Sequence, residues 1–363
     1  MAESEKSSQV DVGSQSREPS REQVRRWADT KVFLGTDFSE DRLKFAAQIG
    51  ADGVSGAPEP GPGDDGFYSV ETLKKHRELV ESHGLQWAAV RMAPLEWTYR
   101  WMLGLPGADG QIENFGKNIR NMAEAGLDFI IFNMHALRIY RTSDQAPERA
   151  GAKATSFDIS LATGNPLMEH PNSAFDIDWV PEDQREPKTD EQMWSNLKTF
   201  LEGVTPVAEE SGVRLGLHPD DPPVPEISGI ARIMRSPEAF RKYLELVPSD
   251  NTGVVFCQGC FTEMGCDIPA EIRHFGGRGK IFSVDFRNIV GKLEKFQETF
   301  PETGNADMVA AMKAYHDSGF DGWMTPDHAI HLDGDTSWGH RYWAYAVGHI
   351  RGLDQALKGT SKS

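Results

Sequence analysis

One rhythm constrains this chain more than any other feature. From Lys31 onward, short apolar runs alternate with longer stretches of helical period. The runs are Val32–Gly35, Gly53–Gly56, Gln86–Arg91, Phe129–Phe132, Arg214–His218, Gly253–Phe256, Ile281–Phe286 and Gly322–Thr325. Helical stretches lie between them, among them 69–84, 112–126, 190–212 and 306–319. Several end in Gly just before the next run, the expected signal for a helix C-cap. Continuous apolar runs separated by helices are what a parallel sheet buried on both faces requires. Eight such strands, each followed by room for a helix, predict an α/β fold, the (β/α)8 TIM barrel, over residues 30–357. An open doubly wound sheet is the structural alternative. Neither GxGxxG nor GxxxxGKS/T follows the first run, which argues against a nucleotide fold and a nucleotide cofactor. The length of 363 residues fits, because a barrel can use ~250 residues or more as one domain.

Outside the rhythm, residues 1–29 read as a polar N-terminal arm and 358–363 as a C-terminal tail. Two segments interrupt it. Residues 58–69 form a Pro/Gly/Asp loop after the second run, and 133–189 form a long polar excursion after the fourth. Loops of that length are unusual in compact domains and tend to be lids or binding loops. Both leave strand C-terminal ends, where barrel enzymes build their sites. A formal net charge of −17 argues against nucleic acid or an anionic membrane as partner. No run approaches the ~20 apolar residues of a membrane span, and the polar start lacks the apolar core of a signal peptide, so a cytoplasmic location is expected. The three cysteines, Cys257, Cys260 and Cys266, are too few for a disulfide framework or a four-cysteine zinc site.

The residues suited to chemistry share one address, the ends of the late strands. "VRLGLHPDDPP" (213–223) runs into His218, Asp220 and Asp221; "TGVVFCQGC" (252–260) delivers Cys257 and Cys260; "KIFSVDFRNI" (280–289) delivers Asp285 and Arg287; "DGWMTPDHAIHL" (321–332) delivers Asp327, His328 and His331. Singly, each has a plain reading: a loop histidine, a buried thiol, a helix-capping aspartate. Together, His218, Cys257, Asp285 and Asp327 form a mixed donor set for a divalent transition ion. Asn133, His135, Arg138 and Arg141 open the long excursion as candidates to face the cleft, and Arg287 is suited to a bidentate grip on a carboxylate.

These strings, with "IENFGKNIRNMAEAGLDFIIFNM" (112–134), "RTSD" (141–144) and "FQETFPETGNADMVAAMKAY" (296–315), resemble the mannonate dehydratases over most of residues 30–357. "HPDDPP" with downstream "FRN" and "PDH" is the specific part. The resemblance implies a xylose-isomerase-like barrel that binds a divalent metal, Mn²⁺ first and Fe²⁺, Co²⁺, Ni²⁺ or Zn²⁺ as alternatives. It also implies conversion of D-mannonate to 2-keto-3-deoxy-D-gluconate, and a homo-oligomer. His218, Cys257 and Asp327 fall on the family's ligand positions. The family's fourth ligand is a histidine, and Asp285 stands there. Three further departures concern the rim: Arg91 replaces an acid, "NMH" (133–135) adds His135, and His340 occupies a tyrosine position, with Tyr342 nearby.

On this basis His328 is expected to act as base or acid, with Tyr342 or His340 as counterpart. Arg91 and Arg287 would hold the substrate carboxylate, and Asn133 and His135 would border it. Asp285 adds a negative charge that Arg91, Arg287 or His135 would compensate, which suggests another sugar acid or a modified sugar as substrate. The expected activity is therefore metal-dependent dehydration of D-mannonate or a related aldonate. The alternatives are a metal-dependent sugar isomerase or epimerase, and a non-catalytic sugar-acid binding protein.

Overall fold

The computed structural model describes residues 30–91, 94–136, 139–162, 184 and 186–360. The N-terminal arm, Arg138 and much of the long excursion (163–183) lie outside the described residues. The strands in chain order are β1 (Lys31–Gly35), β2 (Gly53–Gly56), β3 (Gln86–Arg91), β4 (Phe129–Phe132), β5 (Ser143–Pro147), β6 (Lys153–Asp158) and β7 (Arg214–Leu217). They continue as β8 (Glu226–Ile227), β9 (Ile230–Ala231), β10 (Thr252–Cys257), β11 (Ile281–Asp285), β12 (Asn288–Lys292), β13 (Lys295–Thr299) and β14 (Trp323–Thr325).

Eight strands close into a barrel in the order β1-β14-β11-β10-β7-β4-β3-β2, and each neighbouring pair is parallel. The open sheet is thereby excluded. The barrel strands are buried runs such as "TGVVFC" in β10, and their alternation with helices leaves no solvent face for polar side chains. Two strand glycines exist for close approach. A Cβ on Gly253 would sit 2.6 Å from the Phe282 ring, and one on Gly216 would sit 2.8 Å from the Phe129 ring. Ala89, Phe129, Ile131, Val255 and Phe282 form a small cluster contributed by strands alone, apart from the main strand–helix core.

Local sequence sets the helices. Ser69 caps Val70–Ser82 by accepting from the Thr72 amide. Thr189 and Gln192 form a capping box on Asp190–Ser211, which Gly212 ends in the left-handed conformation. That helix packs on Ala108–Glu124 and on Tyr99–Leu103, where Trp101 stacks on Phe200 at 3.9 Å. The final helix, His340–Thr360, runs past the expected boundary at 357. Among the described residues, no helix is long and apolar enough to cross a membrane.

A second sheet stands at the C-terminal end of the barrel, ordered β12-β13-β6-β5. The chain leaves β11 at Asp285 and enters β12 at Asn288, so this sheet begins where the barrel strand stops. Its β5 and β6 come from the excursion that the sequence presents as loop. Phe157 pairs with Phe296 across the β6–β13 seam, and Lys153 pairs with His331 in the segment after β14. The sheet therefore roofs part of the rim.

Candidate active site

Parallel pairing places the ends of the late strands level with one another. In register, Cys257 is opposite Asp285, and Asp285 is opposite Thr325, two residues before Asp327. His218 follows β7, its amide donating to the Phe132 carbonyl at 2.9 Å. Ligand atoms of Cys257, Asp285 and Asp327 lie within 4.8 Å of one another, as do those of His218, Cys257 and Cys260. His218 Nε2 is 3.0 Å from Asp285 Oδ2. The structure thus brings the four expected ligand residues together.

Their chemistry fits a cation. His218 Nδ1 lies 2.7 Å from the Pro219 carbonyl, an acceptor, so Nδ1 donates and Nε2 faces Asp285. A bare imidazole nitrogen against a carboxylate oxygen is two acceptors in contact, which only a proton or a metal ion can reconcile. Burial pulls the His218 pKa down, but its hydrogen bonds to Asp285 and Cys257 raise it well above the usual value. Burial likewise pushes the Cys257 thiol up, yet Cys260, Arg287 and His218 bring it down to about 6. Asp285 is held at about 2 against its burial, by His218 first and then Arg91. A thiolate and two carboxylates around one imidazole suit a divalent ion of mixed hardness.

Arg91, at the end of β3, donates from Nη2 to Asp285 Oδ1 at 3.3 Å. It also stands where two lobes of an open cleft meet. The smaller lobe, about 280 Å³, is bordered by Asp327, His328 and Arg141; the larger, about 550 Å³, by His218, Asn133 and His135. Asn133 Oδ1 accepts from the His135 amide at 3.0 Å. The His135 ring is buried edge-on to His218 at 5.5 Å and bonds to the Pro219 carbonyl through Nε2. Burial, and then Arg232 and His218, push its pKa well below the usual value. It lies 3.9 Å from Asp220 rather than beside Asp285, so it does not share the compensating place of Arg91.

Three expectations are corrected. Arg287 is 1% exposed and lines neither lobe, although its Nε comes within 3.5 Å of Asp327 Oδ2. Its Nη1 donates to Glu263 at 3.1 Å and Glu298 at 2.9 Å, its Nη2 to Asp221 at 2.9 Å and Cys260 at 3.2 Å. So many buried acids need an internal cation, and this one is consumed by them. His340 begins the last helix, held by Thr336, 3.5 Å from Asp41 and edge-on to Phe45 and Trp338. Tyr342 packs with Phe300, Ile330 and Ala346, where burial raises its pKa. Neither lines either lobe.

His328 is on the cleft wall, in the left-handed conformation at φ +53. Its Nδ1 is 2.7 Å from Glu298 Oε1 and its Nε2 is 3.4 Å from Asp327. Burial lowers its pKa, but Asp327 and Glu298 raise it above the usual value. Glu298 and Glu263 are the buried acids that sequence reading missed. A signal existed: "NIVGKLEKFQET" (288–299) alternates on either side of Leu293 and Glu294 as a hairpin does, placing Phe296 and Glu298 on one face.

Comparison with known proteins agrees with this geometry. The model of the D-mannonate dehydratase (UxuA) family matches residues 30–363. A mannonate dehydratase of Thermotoga neapolitana is 33% identical over an alignment of 350 positions that covers 90% of this chain and 96% of the relative. The crystal structure of mannonate dehydratase from Streptococcus suis serotype2 superposes with a TM-score of 0.78 at 25% identity, covering 91% of this chain and 96% of that one. A xylose isomerase domain protein from Planctomyces limnophilus shares the fold, with a TM-score of 0.56 at 13% identity, covering 91% of this chain and 98% of that one. With its xylose-isomerase-like barrel and its match over nearly every described residue, the chain belongs to the D-mannonate dehydratase family of enzymes.

Proposed function

We propose that the protein is a metal-dependent dehydratase of D-mannonate or a closely related aldonate, forming a 2-keto-3-deoxy sugar acid. The observation that carries this reading is the convergence of His218, Cys257, Asp285 and Asp327 beside His328 on the cleft wall. These four residues would hold the ion, which when bound supplies Lewis-acid stabilisation of the charge that develops as the α-proton leaves. His328 takes or returns that proton at Nε2, the nitrogen not committed to Glu298. The C–H electron pair becomes the carbon–carbon double bond, the β-hydroxyl leaves as water with a proton, and the enol tautomerises to the ketone. Arg91 offers a cation to the substrate carboxylate from the junction of the two lobes.

The pairing of Arg91 with Asp285 supports a narrower reading. An aspartate in place of a neutral imidazole adds a negative charge to the ligand set, and an arginine from another strand offsets it. We infer that this pair retunes the site for a sugar acid other than D-mannonate while keeping the dehydration. The test is 2-keto acid formation from a panel of aldonates that differ in configuration, with metal-loaded and chelated protein. Formation that needs metal and favours an aldonate other than D-mannonate supports the reading, and a preference for D-mannonate contradicts the retuning. Indifference to chelation contradicts the reading.

A further inference from the structure

We propose that Glu298 is a positioning residue for the dehydration, acting through His328 Nδ1 to fix which imidazole nitrogen serves the cleft. This rests on the role given to His328 above. Glu298 comes from β13, in the sheet outside the barrel, yet only 1% of it is exposed. Its Oε1 lies 2.7 Å from His328 Nδ1, 2.7 Å from Arg141 Nη2 and 2.9 Å from Arg287 Nη1. Oε2 takes a further bond from Arg287 Nη1 at 3.1 Å. Arg141 and Arg287 donate to this carboxylate, so toward His328 it acts as acceptor and Nδ1 is the nitrogen that donates. The 3.1 Å between Arg141 Nη2 and His328 Nδ1 is then a contact between two donors aimed at one oxygen. Nδ1 is held against Glu298, which leaves Nε2, 3.4 Å from Asp327 Oδ2, as the nitrogen turned to the site.

The backbone points the same way. His328 keeps a left-handed φ of +53, a conformation a β-carbon disfavours, and in it the ring reaches a strand of the second sheet. A chain that needed only a capping group after β14 would have no use for this. The second sheet therefore contributes to the chemistry by orienting a barrel side chain, not by touching substrate.

Charge balance for Arg141 and Arg287 is the competing role, and Glu298→Asp separates the two. It keeps the charge but withdraws the acceptor from Nδ1. Loss of a hydrogen-bonded partner that orients a site residue typically costs ~10–100-fold. We expect E298D to lower kcat by about that factor, with KM changed less than about threefold and metal content retained. In a His328→Asn background the same substitution should cost less than about twofold, because the residue it acts through is gone. E298Q, close in shape and still an acceptor, serves if E298D does not fold, and it should lose less than E298D does. Wild-type kcat in E298D, or an equal fold-loss in both backgrounds, would overturn the proposal. Independently of turnover, ¹⁵N-histidine NMR of the Zn²⁺-loaded protein, with His328 assigned from H328N, should find Nδ1 protonated. A ring protonated at Nε2 alone would overturn it too. If no aldonate is turned over, the functional reading falls while this spectrum still decides the role of Glu298.

Discussion

On the proposed function, Asp285 is the residue on which the chemistry of this site turns. An imidazole there would leave the thiolate of Cys257 and the carboxylate of Asp327 balanced by a divalent ion. The aspartate adds one more charge, and Arg91 Nη2 meets it at 3.3 Å. Asp285→His is expected to keep its metal by elemental analysis and to shift the kcat/KM ratio toward D-mannonate relative to the native substrate. Arg91→Ala should weaken kcat/KM more in the wild type than in D285H, with a coupling of roughly 1 kcal/mol; strict additivity would show that the pair does not act together. Glu298 offers a pH test. Burial would push its pKa up, but Arg287 and His328 hold it at about 2. A folded pKa below the unfolded value of ~4.3 gives stability that is present at neutral pH and lost as pH falls through that interval. The gap in melting temperature between wild type and E298Q should therefore narrow as pH drops from about 5 to 3.

At the scale of elements, the β12–β13 hairpin carries Glu298 to His328, and a strand glycine beside its turn is its weak point. Gly291 has φ +105, and a Cβ there would lie 2.3 Å from the Lys295 carbonyl oxygen. Gly291→Ala should destabilise the protein by about 1–3 kcal/mol. It should also lower kcat through the register of Glu298, with the far-UV spectrum of the barrel unchanged. The barrel itself was legible residue by residue. Runs such as Phe129–Phe132 and Gln86–Arg91 match observed strands end for end, because a strand buried on both faces leaves an unbroken apolar signature. The convergence of His218, Cys257, Asp285 and Asp327 was legible for the same reason, since each stands where such a run stops. The second sheet was not. The β12–β13 hairpin carries a local alternation, but its pairing with β6 spans a long sequence distance, Phe157 with Phe296, which nothing local marks. Glu298 then reads as a solvated residue in "KFQET", although the fold buries it. His340 and Tyr342 misled because the direction of a helix start depends on the turn before it. Here Asp335 receives the Arg341 and Tyr342 amides and Thr336 holds His340, which sets one ring outward and the other into apolar packing.

For the whole molecule, the four proposed ligand residues come from strand ends far apart in sequence, so an ion bound there would tie β7, β10, β11 and the β14 end together. Ligands that bind only the folded state stabilise it in proportion to occupancy. Chelation should lower the melting temperature of the wild type. His218→Ala should lower metal content and lose that sensitivity, and full occupancy in H218A would exclude His218 as a ligand. The net charge of −17 does not draw an anionic substrate from a distance, so local cations such as Arg91 must do so at the cleft. The most direct measurement is the mass of the product formed from an accepted aldonate by the metal-loaded protein. Dehydration gives a 2-keto acid lighter than its substrate by one water. A product of unchanged mass would mean isomerisation or epimerisation on the same barrel and would contradict it.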